Sequence, residues 1–218
     1  MEAQFWMDRW GAGNIGFHRP SFNEHLLEFW PQVDVAPGAT VFVPLCGKSL
    51  DLHWLAEQGH TVVGNEVVEL AVEDFFKEAE MDPKRESCGA LERFSHGGVS
   101  ILCGDFFALT AEDLKGVTAW YDRAAQVALP AEMREAYYQK LAELLPEGAV
   151  GLSLSFEYPQ DQKSGPPFSV EEEEVRALCH GRFSVELLER QDRLKMEPRF
   201  VAQGLDRADE AIYRMVRS

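Results

Sequence analysis

The sequence has no C-x-x-C pair. Its four cysteines, Cys46, Cys88, Cys103 and Cys179, are scattered along the chain, which argues against both a disulfide framework and a zinc site. Reduced thiols are expected. The six histidines (His18, His25, His53, His60, His96 and His180) lack a metal-ligand spacing such as H-x-x-x-H, and no metal is implied. No apolar run approaches the roughly 20 residues needed to cross a bilayer, so a membrane is not an expected partner. The start, Met1-Glu2-Ala3-Gln4-Phe5-Trp6-Met7-Asp8, carries acids and lacks an apolar stretch behind a basic patch. It does not read as a secretion signal, and a cytoplasmic protein is expected. Positive charge is also scarce: 21 Lys and Arg stand against 37 Asp and Glu, a formal charge of -16. Such a surface repels a phosphate backbone, so DNA, RNA and anionic membranes are poor partners, whereas a cationic ligand is drawn to it.

What is present fits one domain. The 218 residues suffice for a six- or seven-stranded sheet covered by helices, and the 45% of hydrophobic residues come in short bursts along the whole length. Ser21-Phe22-Asn23-Glu24 has the spacing of a capping box, and Phe22, Leu26, Phe29 and Trp30 follow with helical period, predicting a short amphipathic helix that stops at Pro31. This helical arm precedes a first strand, Thr40-Val41-Phe42-Val43-Pro44.

A helix is expected over Leu50 to Gln58, closed by Gly59, then a strand over Thr61 to Glu66, which completes a βαβ unit. The alternation continues with a helix over Leu70 to Lys77, strands at Val99 to Cys103 and Val117 to Tyr121, a helix over Ala131 to Leu145 and a strand at Ala149 to Phe156. That rhythm calls for a parallel sheet with helices on both faces. After the polar loop Gln160 to Pro167, Ser169 and Glu172 make a second capping box for a helix from Val170. Two period-two stretches, Phe183 to Glu189 and Ala211 to Val216, then read as an antiparallel pair.

In an open parallel sheet, ligands bind beyond the carboxyl ends of the strands. The turn after the first strand, Pro44-Leu45-Cys46-Gly47-Lys48-Ser49-Leu50-Asp51, has one glycine, Gly47. A P-loop would need glycine at position 42, where Phe42 stands, and a dinucleotide fingerprint would need glycines where Leu45 and Leu50, or Ser49 and Leu52, stand. The turn therefore suits a ligand without a phosphate, such as the amino-acid portion of S-adenosylmethionine, or it is a plain strand-to-helix turn. Glu66 ends the second strand 19 residues after Gly47, placed for the two hydroxyls of a ribose. Asp105 follows the third strand, placed to accept from an adenine amino group, with Phe106 beside it to pack on the ring. The fourth strand ends in Asp122-Arg123.

At these residues the chain resembles thiopurine S-methyltransferases, the bacterial members in particular, over nearly its whole length. The likeness is carried by Trp6-Met7-Asp8-Arg9-Trp10 with Gly16-Phe17-His18, by Val43 to Asp51, by Val63-Gly64-Asn65-Glu66, by Tyr121-Asp122-Arg123-Ala124-Ala125, and by Gly165-Pro166-Pro167-Phe168. It implies a Rossmann-like class I methyltransferase fold: a seven-stranded, mostly parallel sheet with an antiparallel last strand, forming one domain over 1–218 in which residues 1–36 close over the active site. It also implies cofactor contacts at Trp10, Leu45, Glu66 and Arg123. Asn65 and Ala124 stand where many relatives carry an apolar residue and a glycine, implying an acceptor preference different from that of the animal enzymes.

Methyl transfer is an in-line displacement at carbon in which the protein mainly holds the nucleophile near attack distance. Arg123 is expected to favour the anionic form of the acceptor, since arginine keeps its proton and lowers a neighbouring acid's pKa; a structural ion pair with Asp122 or Glu66 is the competing role. Phe17, His18 and Phe168 are candidates for an apolar lid around an aromatic acceptor, with packing or loop anchoring as the alternative for each.

The amino-methylating [ND]-P-P-[YFW] segment is absent after the fourth strand, which leaves sulfur as the best acceptor. The resemblance extends the acceptors to selenium and tellurium compounds and suggests detoxification of small molecules, with the chain expected to act as a monomer. Two other classes remain compatible with the residues: a nicotinamide-dependent oxidoreductase sharing the sheet and the ribose-binding acid, and a catalytically silent cofactor-binding protein.

Overall fold

The computed structural model describes residues 3–218; Met1 and Glu2, the first residues of the expected arm, lie outside the described residues. The described chain is organised in two compact units, residues 1–121 and 122–218.

The first unit opens with α1 (Ala3–Gly11) and α2 (Glu24–Phe29). The cap of α2 is Asn23, whose side chain accepts from the backbone N–H groups of His25 and Leu26. The capping box expected from Ser21 is thus corrected: Asn23 adopts the extended backbone of a cap and has the shorter reach to those amides. Asn23 is buried, and its own N–H donates to Asp51 Oδ1 at 2.8 Å, fastening the arm to the helix that follows the first strand.

Next come β1 (Thr40–Val43), α3 (Asp51–Glu57), β2 (Thr61–Glu66), α4 (Glu69–Glu78), β3 (Lys84–Cys88), β4 (Leu91–His96), β5 (Val99–Cys103) and β6 (Val117–Asp122). They lie in the order β3-β4-β5-β2-β1-β6. β5, β2, β1 and β6 run parallel, while β3 and β4 are antiparallel additions at the edge. Val41, Phe42, Val62 and Ile101 are fully buried, as are Leu52 and Leu55 of α3 and Ala71 and Val72 of α4. Burying each of the larger side chains contributes on the order of 1.5–3 kcal/mol, and strands covered on both faces read as continuous apolar runs for that reason.

The second unit contains α5 (Ala125–Ala128), α6 (Ala131–Leu144), β7 (Val150–Glu157), α7 (Glu172–Cys179), β8 (Phe183–Asp192), α8 (Arg193–Met196), α9 (Pro198–Ala202) and β9 (Asp209–Arg217). β9 lies between β7 and β8 and is antiparallel to both, as expected for the last strand. A buried polar network sits under this sheet: Gln126 donates to Ser153 Oγ and to the Leu154 carbonyl, and Tyr138 donates to Gln126 Oε1.

Two expectations change. The described residues form nine strands, not seven, because the β3–β4 hairpin is present. Its sequence, Lys84-Arg85-Glu86-Ser87-Cys88, carries charge on both faces, as suits an exposed edge, and so shows no apolar period. The helix expected from Val170 begins at Glu172 without a side-chain cap. Ser169 instead turns back, its Oγ accepting the Tyr158 N–H at 3.0 Å.

Asp122, at the end of β6, is buried; its carboxylate accepts from the Ala125 N–H at 2.9 Å and the Tyr137 hydroxyl at 2.7 Å. Burial outweighs these donors and pushes the carboxyl up to about 6. The folded state therefore binds this proton more tightly than the unfolded chain. The stability contribution is present at pH below the ordinary aspartate range and is lost as pH rises toward 6. In denaturant titrations between pH 4 and pH 7, the stability difference between wild type and Asp122→Asn should shift in the variant's favour by about 2–3 kcal/mol, on top of a constant offset from the lost acceptor. A pH-independent difference would show that the carboxyl titrates normally.

Candidate active site

The turn after β1 adopts backbone conformations that side chains usually avoid. Leu45 has φ +47° and Gly47 φ +54°. For leucine the left-handed region costs roughly 1–2 kcal/mol, so the surrounding structure must hold it there. Three hydrogen bonds do so. Glu66 Oε2 accepts the Gly47 N–H at 2.8 Å, Glu66 Oε1 accepts the Val68 N–H at 2.8 Å, and the Cys46 N–H donates to the Asn65 carbonyl at 2.9 Å. Glu66 is buried, which raises its pKa, while the amide donors of Val68 and Gly47 pull the other way.

The turn after β5 is stitched to the same place. The Gly104 N–H donates to the Glu66 carbonyl at 2.8 Å, and the buried Asn65 side chain donates to the carbonyls of Leu102 and Gly104, both at 3.0 Å. Asp105 is exposed and accepts the Phe107 N–H at 3.0 Å through one oxygen. Phe106 is buried, with its ring edge-on to Phe107. The ends of β1, β2 and β5 thus form one rigid rim with two carboxylates, Glu66 held inside it and Asp105 on its surface.

The arm lies on this rim. Trp10 is buried against Val68 and Ala71 of α4, with Trp6, Ile15 and Val67 around it. A Cβ added to Gly47 would meet the Trp10 ring at 3.3 Å, so the missing side chain of Gly47 makes room for Trp10. Phe17, exposed, packs edge-on to Trp10 with centroids 5.8 Å apart and to Trp6 at 5.6 Å. His18 is half-buried, and its N–H donates to the Ile15 carbonyl at 2.8 Å.

Sequence reasoning did not assign a role to Lys48. Its ammonium is buried, 2.6 Å from Glu78 and 3.7 Å from Asp74 of α4, and 5.9 Å from the Trp10 ring. A lysine beside the turn glycine therefore binds helix and arm and is not extended toward a phosphate. The signal available in the sequence was Asp74 on the expected helix and Glu78 one turn on, just past that helix's expected end at Lys77.

Arg123 and Phe168 belong to the second unit. Arg123 is half-buried between the end of β6 and α5; its neighbour Asp122 is turned inward to Ala125 and Tyr137. Phe168 is half-buried, and its N–H donates to the Val127 carbonyl of α5 at 2.7 Å. A Cβ on Gly165 would collide with the Phe168 ring at 2.5 Å, and Gly165 has φ +72°, so glycine is required for this loop to fold over the ring.

The rim fits S-adenosylmethionine by its chemistry. Each Glu66 oxygen already takes one amide and keeps a second lone pair for a ribose hydroxyl, the Leu45–Gly47 turn brings main chain to the surface without a phosphate-binding row of glycines, and the exposed carboxylate of Asp105 stands on the neighbouring turn.

Comparison with known proteins bears on the same point. The family model described as "Thiopurine S-methyltransferase (TPMT)" matches residues 1–218. The thiopurine S-methyltransferase of Azotobacter vinelandii is 46% identical over 217 residues, covering 100% of both chains, and that of Pseudomonas putida KT2440 is 48% identical over 217 residues with the same coverage. Among solved structures, a SAM-dependent methyltransferase from Anabaena variabilis superposes with a TM-score of 0.64 at 14% identity, covering 99% of this chain and 95% of that one, which shows the class I methyltransferase fold. With a family match over its full length and close to half its residues shared with these relatives, the chain belongs to the thiopurine S-methyltransferase family of S-adenosylmethionine-dependent enzymes.

Proposed function

We propose that this enzyme methylates the sulfur of thiopurines and related aromatic thiols, and that selenium and tellurium compounds are taken by the same site. The observation that carries the reading is the turn after β1, in which a strained Leu45 and a left-handed Gly47 are held open by the buried carboxylate of Glu66. Bound there, S-adenosylmethionine supplies an electrophilic methyl group on a sulfonium sulfur.

On this reading the chain's own residues divide the work. Leu45 and Gly47 offer backbone groups to the amino-acid end, Glu66 accepts from the ribose hydroxyls, and Asp105 accepts from the adenine amino group with Phe106 behind it. Trp10 lies over the cofactor side and, with the arm over residues 1–36, excludes water. Phe17, His18 and Phe168 enclose the aromatic acceptor. Arg123 holds the acceptor as its anion and steadies its charge while the sulfur bonds to carbon, a task that needs no strong base. The family match across both units supports one working methyltransferase domain. Four thiols without a disulfide accord with a reducing, cytoplasmic setting, and a monomer acting on small molecules in detoxification completes the reading.

Calorimetric titration with S-adenosylhomocysteine, followed by transfer of labelled methyl to 6-mercaptopurine and to selenite, tests this directly. Binding with transfer to 6-mercaptopurine supports it; binding without transfer to any thiol would leave a silent cofactor-binding protein. Arg123→Ala should lower turnover about a hundredfold, the scale seen when one group aimed at developing charge is removed, with S-adenosylhomocysteine affinity within about threefold of wild type. Unchanged turnover would remove Arg123 from the mechanism. Gly47→Ala should act on binding instead: a side chain at φ +54° and 3.3 Å from Trp10 should weaken S-adenosylhomocysteine about tenfold and shift tryptophan fluorescence as Trp10 is displaced. Wild-type affinity in this variant would show that the turn is not part of the cofactor site.

A further inference from the structure

A groove separate from the rim lies within the first unit, between α3 and α4. Its volume is about 580 Å³, a size that suits a small ligand. One end reaches Lys48, beside the turn after β1, and the other reaches Gly97-Gly98-Val99, where β5 begins. The rim residues Gly104 and Asp105 follow the opposite end of β5, so the groove runs between the helices and away from the carboxylates of the rim. Small residues keep it open. His53, Ala56 and Glu57 share a face of α3 through their spacing of three and four residues, and Phe75 of α4 is followed one turn later by Ala79. Ala56 and Ala79 stand where longer side chains would fill the space, and Gly97 and Gly98 bring no side chain to the far end.

The wall is aromatic and the charge is one-sided. The His53 imidazole stacks on the Phe75 ring with centroids 4.3 Å apart and planes 8° from parallel. Burial lowers the His53 pKa, with the Glu57 carboxylate pulling the other way, so this imidazole is uncharged at neutral pH. Lys48 is the one lysine or arginine in the lining, and its ammonium is already matched to Glu78 at 2.6 Å and Asp74 at 3.7 Å. Glu57 is exposed and forms no ion pair among the described residues. The groove therefore carries an excess of negative charge, on a chain whose formal charge is -16. A flat apolar body bearing a positive charge gains from both properties, an uncharged aromatic gains from the wall alone, and an anion is repelled.

We propose that the groove between α3 and α4 is a second small-molecule site, distinct from the cofactor rim, that takes a small aromatic ammonium ion with its ring on the His53–Phe75 wall and its charge at Glu57. The proposal goes beyond the methyl-transfer reading and does not rest on it. Its inner end, Lys48 with Glu78, also carries the Trp10 ring, so a ligand there sits against the residues that hold the arm.

The test titrates three charge states of one framework, 2-phenylethylammonium, 2-phenylethanol and 3-phenylpropionate, into the protein saturated with S-adenosylhomocysteine, with binding read by calorimetry. The ammonium should bind at least about fivefold more tightly than the alcohol, and the carboxylate more weakly than either. Glu57→Gln should bring the ammonium to within about twofold of the alcohol, and added salt should erode the same advantage in wild type. Ala56→Leu fills the groove and should weaken ammonium and alcohol alike by at least about fivefold, with Ala79→Leu as a second filling variant should the first fail to fold. In NMR spectra the His53 ring resonances, assigned by their loss in His53→Gln, should shift on addition of the ammonium. No ammonium binding up to about 10 mM, unchanged binding in the filled variant, or equal affinity for ammonium and carboxylate overturns the proposal. If S-adenosylhomocysteine itself does not bind, the cofactor reading has failed, and the same titrations on the protein alone still decide the groove.

Discussion

The Glu66 carboxylate sets the spacing between the turn after β1 and the start of α4, since one oxygen holds the Gly47 N–H and the other the Val68 N–H. Both amides lie outside the strands and helices, and a buried donor left unpaired costs on the order of 1–3 kcal/mol. The carboxylate in turn needs those donors, because burial alone disfavours its charge. Each side makes the other tolerable. Leu45 is kept in the left-handed region by this closure and the neighbouring Cys46-to-Asn65 hydrogen bond, and the Gly104 turn is anchored to the same Glu66 through its main-chain carbonyl.

The arm depends on that geometry. Trp10 fits because Gly47 has no side chain and because Val68 and Ala71 present small apolar surfaces at the start of α4. Lys48 then ties turn, arm and helix together through Glu78, Asp74 and the Trp10 ring. A buried lysine is costly unless paired, so its placement commits Glu78 and Asp74 to a structural role. This explains why a Gly-Lys-Ser triplet occurs here without phosphate chemistry: the lysine bridges protein to protein.

What could be read in the sequence follows from where the physics is local. The strands β2 and β5 were legible to the residue from short apolar cores, Val62-Val63 and Ile101-Leu102, bounded by Gly59, Gly98 and Gly104; Gly47, Glu66, Asp105 and Arg123 were legible as candidates because they stand at the carboxyl ends of strands. The β3–β4 hairpin was not legible, since at an exposed edge Arg85 ion-pairs with Glu92, Glu69 and Glu73 and Glu86 with Lys84, leaving β3 no apolar period. Capping was misplaced for a similar reason. Ser21 and Ser169 have the right spacing, yet Asn23 caps α2 and Ser169 bonds across to Tyr158, choices made by tertiary packing that spacing alone does not encode. Lys48 and Asn65 belong to the same class: a buried polar residue in an apolar stretch signals that a partner exists and says nothing of which one.

The same distinction separates the rim from the loop over residues 160–168. The rim is built from main-chain geometry, a left-handed turn, a strand-end carboxylate and amides of fixed direction, and such features leave short motifs in sequence. The aromatic cluster under that loop is built from side chains of segments far apart in the chain: Phe156 on a strand, Phe200 on a short helix and Val127 on another. No spacing rule links them. Packing of that kind is set by tertiary structure, which is why the segment 160–167 reads in the sequence as a polar loop although hydrogen bonds of Tyr158, Gln160 and Ser169 pin it.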